Sequence, residues 1–129
     1  MASIFTRIIQ GEIPCHKVGE DDRYLAFLDI SPLREGHTLV VPKLEVDRFF
    51  DLPADLLAGI MPFAQEVAAR IQRAIPCDRV GVAVIGLEVP HAHVHLIPID
   101  RMSDMDLTRE KLKLTPEQLA SIAERIRRA

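Results

Sequence analysis

The chain has 129 residues, 48% of them hydrophobic and 27% charged, with a formal net charge of −3. That length gives one domain with room for a proper core. The charge argues against general binding to DNA or RNA, although a small phosphate ligand needs only local donors. No apolar run approaches about 18 residues, so no membrane span is expected. The opening Met1–Arg7 lacks a basic stretch leading into an apolar segment, so no secretory leader is expected either. Cys15 and Cys77 lie far apart and read as free thiols and small apolar fillers, which suits a reducing cytoplasm.

Taken in chain order, Ile4 to Ile9 carries apolar residues at helical spacing, and Gly11 and Pro14 stop it. Tyr24 to Ile30 reads as a strand entered through the polar turn Glu20-Asp21-Asp22, with His16 to Gly19 as its antiparallel partner. Ser31 to Gly36 is a connecting loop. His37 to Val41 is β-branched and apolar, hence a buried strand, ended by Pro42. Leu52 to Ile75 is a long amphipathic helix, started at Asp51 or Pro53 and ended by Pro76. Pro62 inside it should kink it or weaken it.

Val80 to Ile85 is another buried strand, and the tight connection Gly86–Pro90 leads into a strand containing His91, His93 and His95. Strands joined by so few residues are antiparallel neighbours. Residues 100–114 form a polar, irregular tail. Thr115-Pro116-Glu117 opens a last helix running to about Arg127, with Thr115 as N-cap. Its basic end, Arg125, Arg127 and Arg128, suits a helix C-terminus and reads as a solvated face. This order gives an α+β domain: a single five-stranded antiparallel sheet with helices packed on one face. Residues 1–99 are its core, and 100–129 are a C-terminal extension of the same domain.

The segment His91-Ala92-His93-Val94-His95 holds three of the five histidines. Alternate strand residues point to opposite faces, so all three imidazoles fall on one side and Ala92, Val94 and Leu96 on the other. Imidazole is well suited to nucleophilic and proton-transfer work near neutral pH. Two other readings stay open. One is a solvated strand face without a role. The other is a metal site, which needs a third and usually a fourth ligand. His91 and His95 stand about 13 Å apart along an extended strand, so one ion cannot take all three histidines, but a pair with His37 or a carboxylate remains.

The histidine row with its following apolar pair resembles the signature of the histidine triad family of nucleotide-binding hydrolases and transferases. Ile4-Phe5-x-x-Ile8-Ile9-x-Gly11-Glu12-Ile13-Pro14 is similar to the opening of that family's branch of small purine-nucleotide-binding proteins. So are Ala26-Phe27-Leu28-Asp29-Ile30-Ser31-Pro32 and Gly36-His37-Thr38-Leu39-Val40-Val41-Pro42-Lys43. The blocks occur in family order over residues 3 to 99.

The resemblance implies a homodimer whose sheets join across the interface, with a purine nucleotide pocket in each protomer. It implies a cytoplasmic enzyme without a cofactor that partners neither nucleic acid nor membrane. Ile4, Phe5, Ile8, Phe27, Ile30, Leu39 and Val89 would line the nucleotide pocket, and Asp29 would accept hydrogen bonds from the ribose hydroxyls. His93 would be the nucleophile on the α-phosphate. His95 and His37 would contact the phosphate oxygens, and the His91 carbonyl would hold Nδ1–H of His93. The implied activity is hydrolysis of nucleoside 5′-phosphoramidates or related nucleotidyl bonds. The alternatives are a nucleotide-binding module with little turnover and a histidine-ligated metal protein.

The chain departs from the family pattern in three places. Zinc-binding members carry Cys-x-x-Cys around the first Ile-Phe and a histidine after Pro-Lys; here Ser3, Thr6 and Glu45 stand there. The loop before the triad is trimmed to Val84-Ile85-Gly86-Leu87-Glu88-Val89-Pro90 and lacks the family's Asn and Gln. Glu88 replaces a Ser or Thr near the leaving group, where a carboxylate repels a second phosphate but could hold an amine.

Overall fold

A computed structural model describes all 129 residues. The helices are α1 (Ile4–Ile9), α2 (Ala54–Ala74) and α3 (Pro116–Arg128). The strands are β1 (Lys17–Glu20), β2 (Tyr24–Leu28), β3 (Thr38–Pro42), β4 (Arg79–Ala83) and β5 (Val94–Ile99). They form one antiparallel sheet in the order β1-β2-β3-β5-β4.

Strand alternation divides the core in two. Tyr24, Ala26, Leu28, Val40, Val94 and Leu96 face the long helices, meeting Ile60, Val67 and Ile71 of α2 and Leu119, Ile122 and Ile126 of α3. Leu25, Phe27, Leu39 and Val41 face the other way and pack with Phe5 of α1. His95 lies on β5 between Val94 and Leu96, so it points to this second face. The second face is therefore where the chemistry gathers.

Several boundaries differ from the sequence expectation. β2 stops at Leu28, leaving Asp29 and Ile30 in the following loop. Pro42 lies within β3, and His37 precedes it. Strand β4 ends at Ala83, opposite His95, so Val84 and Ile85 belong to the connection. β5 begins at Val94, so His91 and His93 are not strand residues. They are held in a loop by His91 N–H to the Val89 carbonyl (2.8 Å) and Ala92 N–H to the Val46 carbonyl (2.7 Å).

Helix α2 runs unbroken through Pro62. Pro62 and Ala58, whose carbonyl loses its helical partner, are both exposed, so that carbonyl is open to solvent rather than orphaned in the core. Short 3-10 turns at Phe49–Asp51 and Met102–Met105 were not expected. The basic end of α3 is more than a solvated face: Arg125 donates to the Ala74 carbonyl (3.0 Å) and Arg127 to the Lys17 carbonyl. Thr115 caps α3 as expected, in a reciprocal box with Gln118. No helix is long and apolar enough to cross a membrane.

Candidate active site

Gly36 brings the chain into β3 with φ +91°, a conformation that favours glycine. A Cβ there would meet Ile75 at 3.0 Å and Pro98 at 3.2 Å, so the turn packs tightly and delivers His37 to the second face. His37 is 1% exposed. Its Nδ1 accepts the Leu33 N–H at 3.0 Å. A backbone N–H can only donate, so the proton of neutral His37 sits on Nε2. Nε2 is 3.0 Å from Nδ1 of His95 and donates to it. The proton of neutral His95 is thereby placed on Nε2, as a donor free for a ligand.

Burial keeps both rings neutral. It pushes His37 from 6.5 to about 3, with His95 adding to the effect, and His95 from 6.5 to about 4, with His93 adding to the effect. Asp29 Oδ2 lies 3.7 Å from His37 Nε2, but a neutral ring makes this no ion pair. Asp29 Oδ1 accepts the Ser31 N–H at 2.9 Å, and burial raises the carboxyl's pKa. Asp29 is thus a turn residue whose second oxygen remains available to hydroxyl donors.

The other two histidines are fixed in the same way. Nδ1 of His93 donates to the His91 carbonyl at 2.7 Å, which leaves Nε2 of a neutral ring bare. Phe5 meets the His93 ring edge-on, with centroids 5.0 Å apart, and His95 lies at 5.0 Å on another side. His91 is fully buried. Its Nε2 donates to the Pro42 carbonyl at 2.8 Å, and its Nδ1 stands 2.8 Å from Ser3 Oγ. Burial lowers the pKa of His91 as well.

The expected nucleotide-side residues separate into two groups. Phe5, Phe27 and Leu39 form a buried apolar floor, and half-buried Ile8 and Val89 pack against it. Phe5 and Phe27 are in edge contact at 5.6 Å. Ile4 and Ile30 do not join them. They are 50% and 70% exposed, Ile4 on the outer side of a one-sided helix and Ile30 beyond the end of β2. A cavity of about 290 Å³ opens against His93, walled by Arg48, Phe50, Val84 and Ile85, and none of the floor residues lines it.

Lys111 was not expected here. The Leu112 N–H binds the Pro32 carbonyl (2.8 Å) and Arg109 binds the Leu33 carbonyl (2.9 Å), so the tail crosses the loop that carries Asp29 and His37. The Lys111 ammonium donates to the Leu107 carbonyl and to the Arg109 carbonyl (3.0 Å). Its charge lowers the pKa of Asp29, His37 and His95. No motif announces this return, because the tail meets that loop only after β3, α2, β4 and β5 have intervened in the chain.

Two donor sets could be asked to hold a metal. Asp29, His37 and His95 place one ligand atom each within 4.8 Å of one another. An ion on His37 Nε2 would have to displace the proton given to His95, and moving that proton to Nδ1 would oppose the Leu33 N–H. The second set is Ser3, Thr6, Glu45 and His91. Here the Thr6 hydroxyl donates to Glu45 (2.6 Å) and the Ser3 hydroxyl to His91. Neutral hydroxyls engaged as donors do not fit zinc, which takes thiolate, imidazole or carboxylate.

A family description of the HIT domain matches residues 10–102. The chain is 39% identical to an adenosine 5′-monophosphoramidase of Saccharomyces cerevisiae, over 75% of this chain and 62% of that protein. It is 33% identical to an adenylylsulfatase of Arabidopsis thaliana, over 95% of this chain and 68% of that protein. Among solved structures, a Hit-like protein of Bartonella henselae, described as involved in cell-cycle regulation, superposes with TM-score 0.85 at 30% identity. That match covers 98% of this chain and 95% of the other.

Proposed function

The chain belongs to the histidine triad family, and from that premise we propose that it is a nucleotide hydrolase working through His93. The preferred substrate is a purine nucleoside 5′-phosphoramidate or a related nucleotidyl compound. The observation that carries this reading is the 2.7 Å bond from His93 Nδ1 to the His91 carbonyl, which aims a bare Nε2 away from the backbone.

In the proposed reaction Nε2 attacks the α-phosphorus and the bond to the leaving nitrogen breaks, its electron pair going to that nitrogen. The departing amine takes up a solvent proton. Water then attacks the phosphorus and gives up one proton to solvent, the bond to Nε2 breaks with its electron pair returning to that nitrogen, and AMP leaves with the neutral imidazole restored. Splitting one displacement into two is the gain of nucleophilic catalysis. His95 supplies its Nε2–H to a phosphate oxygen, and His37 keeps that proton in place from behind. Phe5, Phe27 and Leu39 hold the base, and Asp29 receives the ribose. The steps use no metal.

The same reading includes a dimer. Strand β4 is an edge of the sheet, and Val82 (47% exposed) on it lies beside Met61 (44% exposed) of α2. An unpaired edge beside exposed apolar side chains is a surface that a second copy covers.

The test is release of AMP from adenosine 5′-phosphoramidate by the wild type and by His93→Ala. Release by the wild type alone supports the hydrolase. AMP binding without release by either protein supports the rival, a nucleotide-binding module whose trimmed loop 84–90 no longer handles a leaving group.

A further inference from the structure

Ser3 is engaged three times through one oxygen, most weakly with Thr6 Oγ1 at 3.3 Å. Its Oγ accepts the Thr6 N–H at 3.0 Å and so caps α1. Its single proton has a second destination. Nε2 of His91 gives its own proton to the Pro42 carbonyl, so Nδ1 of that neutral ring is an acceptor, and Ser3 Oγ lies 2.8 Å from it. Glu45 closes the arrangement by accepting the Ser3 N–H (2.7 Å) and the Thr6 hydroxyl (2.6 Å). Ser3 is 6% exposed and His91 is fully buried.

The consequence passes through the backbone. His91 lies outside the β5 ladder, which begins at Val94. Its ring is pinned at one nitrogen to the end of β3 and at the other to the start of α1, and its carbonyl holds the Nδ1–H of His93. We propose that Ser3 is a positioning residue for His93: its hydroxyl locks the His91 ring, and the locked residue presents its carbonyl to the nucleophile's Nδ1. The role of His93 as nucleophile is taken from the proposed function, but the geometry that Ser3 controls does not depend on turnover.

A merely structural Ser3 would act through the cap. Loosening α1 would disturb Phe5 and the base floor, which affects binding. Ser3→Gly separates the two roles, because glycine at an N-cap costs only a few tenths of a kcal/mol relative to serine. It removes the hydroxyl proton and leaves His91 Nδ1 only the Thr6 hydroxyl at 3.4 Å, whose proton is already given to Glu45 at 2.6 Å. Ser3→Thr keeps both the cap and the donor.

The experiment has two arms. In the first, exchange of the His93 Nδ1 proton is followed by ¹H–¹⁵N NMR in the free protein. Ser3→Gly should speed exchange about tenfold or more, and Ser3→Thr should leave it near wild type. In the second, AMP release from adenosine 5′-phosphoramidate should show kcat lowered about tenfold or more in Ser3→Gly, with KM within about twofold and kcat restored in Ser3→Thr. A wild-type exchange rate in Ser3→Gly overturns the proposal whatever kcat does, as does a change confined to KM. If the wild type releases no AMP, the hydrolase reading fails and the exchange arm alone decides the role of Ser3.

Discussion

The backbone N–H of Leu33 donates to Nδ1 of His37 at 3.0 Å, and that bond decides which nitrogen of His95 carries the proton. A main-chain group four residues upstream of His37 thus sets which nitrogen of His95 is a donor, two rings away.

Replacing His37 with Ala should break this chain at both ends. The buried Leu33 N–H loses its acceptor and His95 Nδ1 loses its donor. A cavity is left where a side chain was fully enclosed. The expected cost is about 2–4 kcal/mol of stability, read by urea unfolding. The kcat for AMP release should fall about tenfold or more, because His95 is then free to carry its proton on either nitrogen. A wild-type kcat in His37→Ala would show that His95 needs no such support.

The depressed histidines also fix a pH dependence of stability. Burial holds folded His37 and His95 down to about 3 and about 4, against 6.5 for an imidazole in the unfolded chain. Between these values and 6.5 the unfolded chain binds more protons than the folded one. Stability therefore rises with pH through that window and levels off above about 6.5. Each histidine contributes a slope of up to about 1.4 kcal/mol per pH unit. Asp29, raised by burial, opposes the trend at its acid end. Urea midpoints between pH 5 and 7.5 should increase with pH, and less steeply in His37→Ala. A midpoint that is flat or falls over this range would contradict the buried neutral pair.

Much of the fold is legible in the residues because each strand carries its own pattern. Tyr24-Leu25-Ala26-Phe27-Leu28 and Thr38-Leu39-Val40-Val41 are buried on both sides, and such strands read as continuous apolar runs. The histidine row is legible because residue type and period two coincide. What sets the tautomers is not. Leu33 N–H and the carbonyls of His91 and Pro42 are main-chain groups, which leave no mark on a sequence. Ser3 and His91 are 88 positions apart and meet only after the sheet has formed. The end of β2 is not legible either: Ile30 continues its apolar run past Asp29, yet the strand stops at Leu28.

The C-terminal extension should prove inseparable from residues 1–99. Leu119, Ile122 and Ile126 of α3 are at most 5% exposed and belong to the main core. At about 1.5–3 kcal/mol for each buried aliphatic side chain, their loss is comparable to the whole stability of a domain, about 5–15 kcal/mol. A fragment ending at Asp100 should show no cooperative unfolding transition by circular dichroism. A sharp transition in that fragment would show that residues 1–99 fold without the extension.

Asp104 secures the tail more locally. Its buried carboxylate accepts the Asp100 N–H (2.8 Å), the Arg101 N–H (3.2 Å) and Arg34 (2.6 Å). Arg109 approaches its other oxygen at 3.4 Å. Asp104→Ala should leave two arginines without their shared acceptor and free the segment that carries Lys111. The expected loss is about 2–3 kcal/mol. Hydrogen exchange should rise at Leu112, whose N–H binds the Pro32 carbonyl. Unchanged exchange there would mean that the tail is held by its other contacts.

Glu88 offers the sharpest test of what departs. It is exposed in the loop just before the histidines, close enough for its charge to raise the pKa of Asp29. Lys111 acts on the same carboxyl with the opposite sign. The Asp29 carboxyl therefore feels an anion from Glu88 and a cation from Lys111 at once. A fixed anion costs an anionic leaving group about 0.5–1 kcal/mol at a few ångströms under largely solvated conditions. Glu88→Gln should accordingly raise kcat/KM for adenylylsulfate about two- to fivefold relative to adenosine 5′-phosphoramidate, and Lys111→Met should lower the same ratio. The ratio of the two substrates cancels any general effect on the fold or on His93. A ratio that stays fixed in Glu88→Gln would place that carboxylate outside the path of the leaving group and return the choice of substrate to the cavity walled by Arg48 and Phe50.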